Sequence, residues 1–153
     1  MVQAALIAAM YVVLTWLANV FGLANGAIQV RFSEALTILP CFLPAAVPGL
    51  FIGCLLSNIL SGCVVWDVIF GSLATLLGAV GTRLLRKNRW LACLPPILAN
   101  TVIVPFVLVY AYGVPEGIPY LMLTVGVGEV ISCGLLGQLV YSALDKHRNT
   151  LFK

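Results

Sequence analysis

Arg31, Glu34, Asp67 and Glu129 are the ionisable residues of this chain placed where they could do chemistry. Glu129 gives the sharpest signal. It lies in "VGVGEVISCG", about ten residues into a hydrophobic run, hence ~15 Å along a helix at 1.5 Å per residue. A charged side chain at the centre of a membrane costs about 2.5–3.5 kcal/mol on insertion scales, so an acid at that depth is a functional candidate by default. Gly126 and Cys133 flank it on one helical face and leave room beside the carboxyl group. Two readings stay open: ligand or ion contact, and a protonated structural acid bonded to a neighbouring helix. Asn100 is the other deep polar group, a ligand contact or a bond between helices.

Arg31 and Glu34 are three apart, so they share one face of a helix, and Gln29 precedes them. Amide, guanidinium and carboxylate together suit hydrogen-bond recognition in a pocket wall. An interfacial ion pair with a snorkelling arginine is the alternative. Asp67 follows Trp66 at the start of another apolar run. Aspartate there is suited to cap the helix, and tryptophan to sit in the interfacial belt.

The elements that carry these residues belong in lipid. Of 153 residues, 62% are hydrophobic and 8% charged, where a soluble domain has about a quarter charged. A span needs ~20 apolar residues, which allows about six spans in one domain. The expected spans run Val2 to Phe21, Ile28 to Leu43, Val47 to Cys63, Trp66 to Leu85, Trp90 to Tyr112 and Tyr120 to Leu144. The first is read as a retained span, since no basic stretch precedes it as in a signal peptide. Arg83, Arg86, Lys87 and Arg89 follow the fourth span, and Lys146, Arg148 and Lys153 follow the sixth. An even span count puts both groups on one side, the cytoplasm by the positive-inside rule, together with both termini. The loops after spans one, three and five then face outward.

Small residues line three helix faces. Gly49, Gly53, Ser57 and Ser61 repeat in span three, and Gly71, Thr75, Gly78 and Thr82 in span four. Both patterns suit close helix packing in lipid. In span one, Ala4 with Ala8 and Ala5 with Ala9 make two overlapping pairs, suited to packing inside the bundle or to docking on another membrane subunit.

Several function classes are excluded. The net charge of +3 is not gathered on a soluble face, so no nucleic-acid partner is expected. The glycines of "GVGE" lie within a helix rather than after a strand, so they are no nucleotide loop. Cys41, Cys54, Cys63, Cys93 and Cys133 form no CxxC pair and read as small buried residues rather than metal ligands. No second acid is placed beside Glu129 to form a catalytic dyad. No span holds a histidine or lysine, so neither an enzyme nor a cofactor is expected. His147 reads as a solvated tail residue.

The segments "VRFSEALTILP", "PGLFIGCLLSN", "WDVIFGSLATLLGA", "LPPILAN" and "GVGEVISCGLLG" run in order along nearly the whole chain and resemble the QueT family. That resemblance implies the substrate-binding (S) component of an energy-coupling factor importer. The implied fold is all-α, a single domain over 1–153 with six transmembrane helices and both termini cytoplasmic, in the cell membrane. The implied ligand is a queuosine precursor, a deazaguanine base such as queuine or its aminomethyl or cyano relatives, held near the outer face. One small-residue pair on helix one, Ala4/Ala8 or Ala5/Ala9, would dock on a transmembrane coupling subunit, and two cytoplasmic ATPases would drive import. The chain has no GxxxxGK[ST] of its own. Glu129 or Glu34 would accept the base's donors, Asn100 or Gln29 would read its carbonyl, and Trp66 or Tyr112 would stack on its ring. Arg31 would hold Glu34 in place, and Asp67 is a further contact. An S component for another vitamin-like solute, and a self-sufficient secondary transporter, remain as alternatives.

Overall fold

A computed structural model describes residues 1–22 and 30–151. Gln29, the start of the second expected span at Ile28, and Lys153 lie outside the described residues. Among those described, every regular element is helical and no strand occurs. They are α1 (Val2–Val20), a 3₁₀ segment (Phe32–Cys41), α2 (Ala46–Leu60), α3 (Val65–Leu84), α4 (Arg89–Ala92), α5 (Leu94–Tyr110), α6 (Ile118–Glu129), a π segment (Val130–Leu136), α7 (Gly137–Lys146) and α8 (Arg148–Leu151).

Four stretches are long and apolar enough to cross a membrane: Val2–Val20, Val65–Leu84, Arg89–Tyr110 and Ile118–Lys146. Their outward faces are apolar, with Leu6, Val13, Trp16, Leu77, Leu98 and Leu123 all exposed. Inside the bundle, backbones approach closely. A side chain at Gly49 would meet the Ala4 carbonyl oxygen at 2.8 Å, and one at Gly53 would meet the Tyr11 Cβ at 2.7 Å. The α1–α2 contact therefore depends on glycine. On α3, Gly78 and Gly81 press against Pro96 and Pro95 of α5 in the same way.

The second expected span differs from a lipid-facing helix. It is a 3₁₀ segment whose residues from Ser33 to Cys41 are all buried. At ~2.0 Å rise per residue its ten residues cover roughly 20 Å. Pro40 has no N–H to close an α-helical bond, while the Thr37 hydroxyl donates to the Glu34 carbonyl at 2.6 Å. Helices α1, α3 and α7 and the π segment pack around it. Leu36 and Leu39 join Ile7, Tyr11, Leu50 and Cys54 in one core cluster, and Ile38 and Cys41 join Ala92 and Cys93 in another. Arg31 and Glu34 thus stand at the start of the most enclosed element of the bundle.

The elements meet at two ends. At one, α1 and α2 finish on Gly22 and Gly62, whose φ of 72° and 73° makes the left-handed turn after a helix. There Asn19 Nδ2 donates to Ser61 Oγ at 3.4 Å. The opposite end is basic. Arg83 donates to the Pro40 carbonyl at 3.0 Å, Gln138 donates to the Arg89 carbonyl at 2.9 Å, and the Arg89 guanidinium lies over the Trp90 and Tyr141 rings. All five cysteines are unpaired, and four of them are buried.

Candidate functional site

At the end away from the basic residues, the helices enclose a cavity of about 400 Å³, within the range of small-molecule sites. Tyr11, Thr15 and Asn19 line it from α1, Arg31 and Ser33 from the start of the 3₁₀ segment, and Ser57, Asn58 and Ser61 from the end of α2. Cys63 in the following turn, Asp67 in the first turn of α3 and Tyr112 after α5 complete the polar wall. In so apolar a chain, this gathering of polar groups is the feature that needs a function.

Two of those groups are buried and unanswered by protein. The Ser33 and Ser57 hydroxyls belong to side chains 1% and 3% exposed, and neither finds a hydrogen-bond partner among the described residues. Leaving a buried polar group unmade costs about 1–3 kcal/mol. Both line the cavity, so a polar ligand seated there would satisfy them.

Asp67 is not the helix cap. Val64 occupies that position, and α3 has no side-chain cap bond. The Asp67 carboxylate instead accepts a hydrogen bond from the Tyr112 hydroxyl at 2.7 Å. Asn58 Nδ2 donates to the Asp67 carbonyl at 3.4 Å, and the Val64 N–H donates to the Tyr112 hydroxyl oxygen at 3.4 Å. Burial, then the Asp67 carboxylate, push the Tyr112 phenol above its ordinary range. The same two causes push up the Cys63 thiol.

Beneath the cavity lies a buried acid cluster. The Tyr11 hydroxyl donates to Glu34 Oε1 at 2.9 Å and so joins the two layers. Cys133 Sγ donates to Glu129 Oε2 at 3.3 Å and lies 3.9 Å from Glu34 Oε2. Asn100 Nδ2 donates to the same Glu129 oxygen at 3.3 Å and to the Pro96 carbonyl at 3.0 Å. The Arg31 guanidinium interacts electrostatically with both Glu34 and Glu129, and its backbone N–H donates to Ser132 Oγ at 3.0 Å. Donor atoms of Glu34, Glu129 and Cys133 lie within 4.8 Å of one another. They are the described group nearest to a metal-ligand set, and Arg31 already brings a positive charge to them.

The expectation that no second acid accompanies Glu129 is therefore corrected: Glu34 does. The reason is the 3₁₀ segment, which is enclosed on all sides and turns its acid inward. The π segment, which begins directly after Glu129, carries Cys133 to the same two carboxyl groups. Such π turns often mark functional sites.

Of the sequence candidates, Arg31, Asp67 and Tyr112 line the cavity, whereas Glu34, Asn100 and Glu129 do not. Trp66 stands elsewhere. It is 60% exposed, stacks on Phe70 at 6.0 Å, and shares an apolar groove with Phe106 and Tyr110. Ser33, Asn58, Thr15 and Asn19 were not singled out in the sequence. Ser57 and Ser61 were noticed as one packing repeat with Gly49 and Gly53, but the repeat divides, its glycines on α1 and its serines on the cavity. The alanine pairs divide too. Ala4 and Ala8 meet the glycines of α2, while Ala5 and Ala9 are exposed.

A family model described as QueT transporter matches residues 1–146. A curated relative, the queuosine precursor transporter QueT of Lactococcus lactis subsp. cremoris (strain MG1363), is 41% identical over 76 residues. That match spans 50% of this chain and 44% of the relative, so less than half the relative's length is covered. No solved structure matches the chain.

Proposed function

The chain belongs to the QueT transporter family, and from that membership we propose that it captures a queuosine precursor in the polar cavity and delivers it for import. The observation that carries this reading is the cavity itself, with its two unanswered serine hydroxyls. A deazaguanine base is flat and presents donors and a carbonyl along its edges. Ser33, Ser57 and Asn58 suit such an edge, and Tyr11 and Tyr112 offer aromatic surface to the ring. A site built on buried hydrogen bonds rejects analogues that leave them unmade.

In this proposal the chain crosses the cell membrane six times as one domain over 1–153. The crossings are α1, the 3₁₀ segment, α2, α3, α4 with α5, and α6 through α7. The 3₁₀ segment is short for a crossing. Its neighbours surround it, so it needs no lipid-facing length. The basic end is cytoplasmic by the positive-inside rule, which puts both termini inside and opens the cavity outward. The exposed Ala5/Ala9 pair of α1 docks on a transmembrane coupling subunit, and two ATPases supply the energy.

The test is equilibrium binding of queuine and the aminomethyl and cyano bases to the purified chain, with guanine and riboflavin as controls. Tight binding of at least one deazaguanine is the expected result. Binding of none by folded protein overturns the substrate. Preference for riboflavin would make the chain an S component for another solute. A second reading, a self-sufficient proton-coupled carrier, draws support from the buried Glu34–Glu129 cluster, since intramembrane acids serve proton relays. Uptake by vesicles holding this chain alone, without ATP, would favour it.

A further inference from the structure

We propose that the cavity selects ligands bearing a cationic amine, with Asp67 as the counter-ion. This rests on the cavity being the transport site. Two of its lining residues are charged, Arg31 and Asp67. The Arg31 guanidinium faces the carboxyl groups of Glu34 and Glu129, so its charge is answered from below. Asp67 has no such answer. Asp67 makes no ion pair with any described residue. The groups that hold Asp67 are neutral: the Tyr112 hydroxyl on its carboxylate and the Asn58 amide on its carbonyl. The cavity wall therefore carries a carboxylate that makes no ion pair among the described residues.

Its setting makes that carboxylate effective. Asp67 is half-buried, where an ion pair is screened less than in open water. The neutral donors and acceptors, Ser33, Ser57 and Asn58, remain for the uncharged edge of a flat base. The complementary ligand is then a hydrogen-bonding base with an aliphatic amine, which is protonated at neutral pH because such amines titrate at about 10.

The aminomethyl and cyano deazaguanines isolate this term, since one substituent is a cation and the other is neutral. Both are titrated into the purified full chain and into Asp67→Asn. The unaltered chain is expected to bind the aminomethyl base about tenfold or more tightly than the cyano base, the scale of a partly buried charge pair. In Asp67→Asn that preference is expected to fall to about one. Asp67→Glu, which keeps the charge, is expected to retain it and guards against a folding defect in the asparagine variant. Equal affinity of the unaltered chain for both bases overturns the proposal, as does a preference that survives in folded Asp67→Asn. If neither base binds the unaltered chain, the transport-site reading fails and takes this proposal with it.

Discussion

At the residue scale, the acids have different tasks. Glu34 accepts the Tyr11 hydroxyl and faces Arg31. Replacing it by leucine leaves the buried Tyr11 hydroxyl without its acceptor. Glu34→Leu is expected to lower stability by about 1–3 kcal/mol, the cost of leaving a buried polar group unmade, read as the melting temperature in detergent. A smaller loss than from an exposed control such as Glu116→Leu would contradict that role. Cys63 reports on the cavity wall. Because burial and then Asp67 raise its thiol, and only the thiolate reacts, alkylation is expected to be slow at neutral pH and to quicken as pH rises. Asp67→Asn removes one raising cause, so the rise should begin at lower pH; an unshifted profile would contradict the pairing. Glu129 was legible because an acid within an apolar run stands out in any sequence. Ser57 was not, since a serine at a four-residue spacing looks the same whether it packs or faces a cavity. The partnership of Glu34 with Glu129 was hidden because it spans most of the chain and depends on how one segment winds.

At the element scale, the four long apolar helices were legible to within about two residues at each end, because long apolar runs broken by Gly, Pro and charge leave little choice. The exception was the segment after Arg31. Apolarity marks it as membrane-embedded, but nothing in its composition separates a lipid-facing helix from one enclosed on every side. The contacts of α1 make a paired test. Ala8 is buried against α2 while Ala9, its neighbour, faces outward. Ala8→Leu is expected to destabilise the chain by about 1–3 kcal/mol through overpacking. Ala9→Leu is expected to leave the stability within about 0.5 kcal/mol of the original, as surface changes do, and to weaken co-purification with the proposed coupling subunit. Equal melting losses in both variants would contradict the division of the two faces.

At the scale of the whole molecule, the distribution of charge says most. Arg83 and Arg89 stand at one end and the polar cavity opens at the other, so the proposed topology and the proposed site rest on one asymmetry. Import by capture at the outer face requires that a reagent outside the membrane reach the cavity, and that ligand shut it out. The most direct measurement is alkylation of Cys63 by a membrane-impermeant maleimide in right-side-out vesicles, with and without the aminomethyl base, in a chain whose buried cysteines are replaced by alanine. Cys63 is expected to label from outside and to be protected as the base saturates. Ligand that binds tightly yet leaves labelling unchanged, or a thiol that labels only from inside, would contradict capture in this cavity at the outer face.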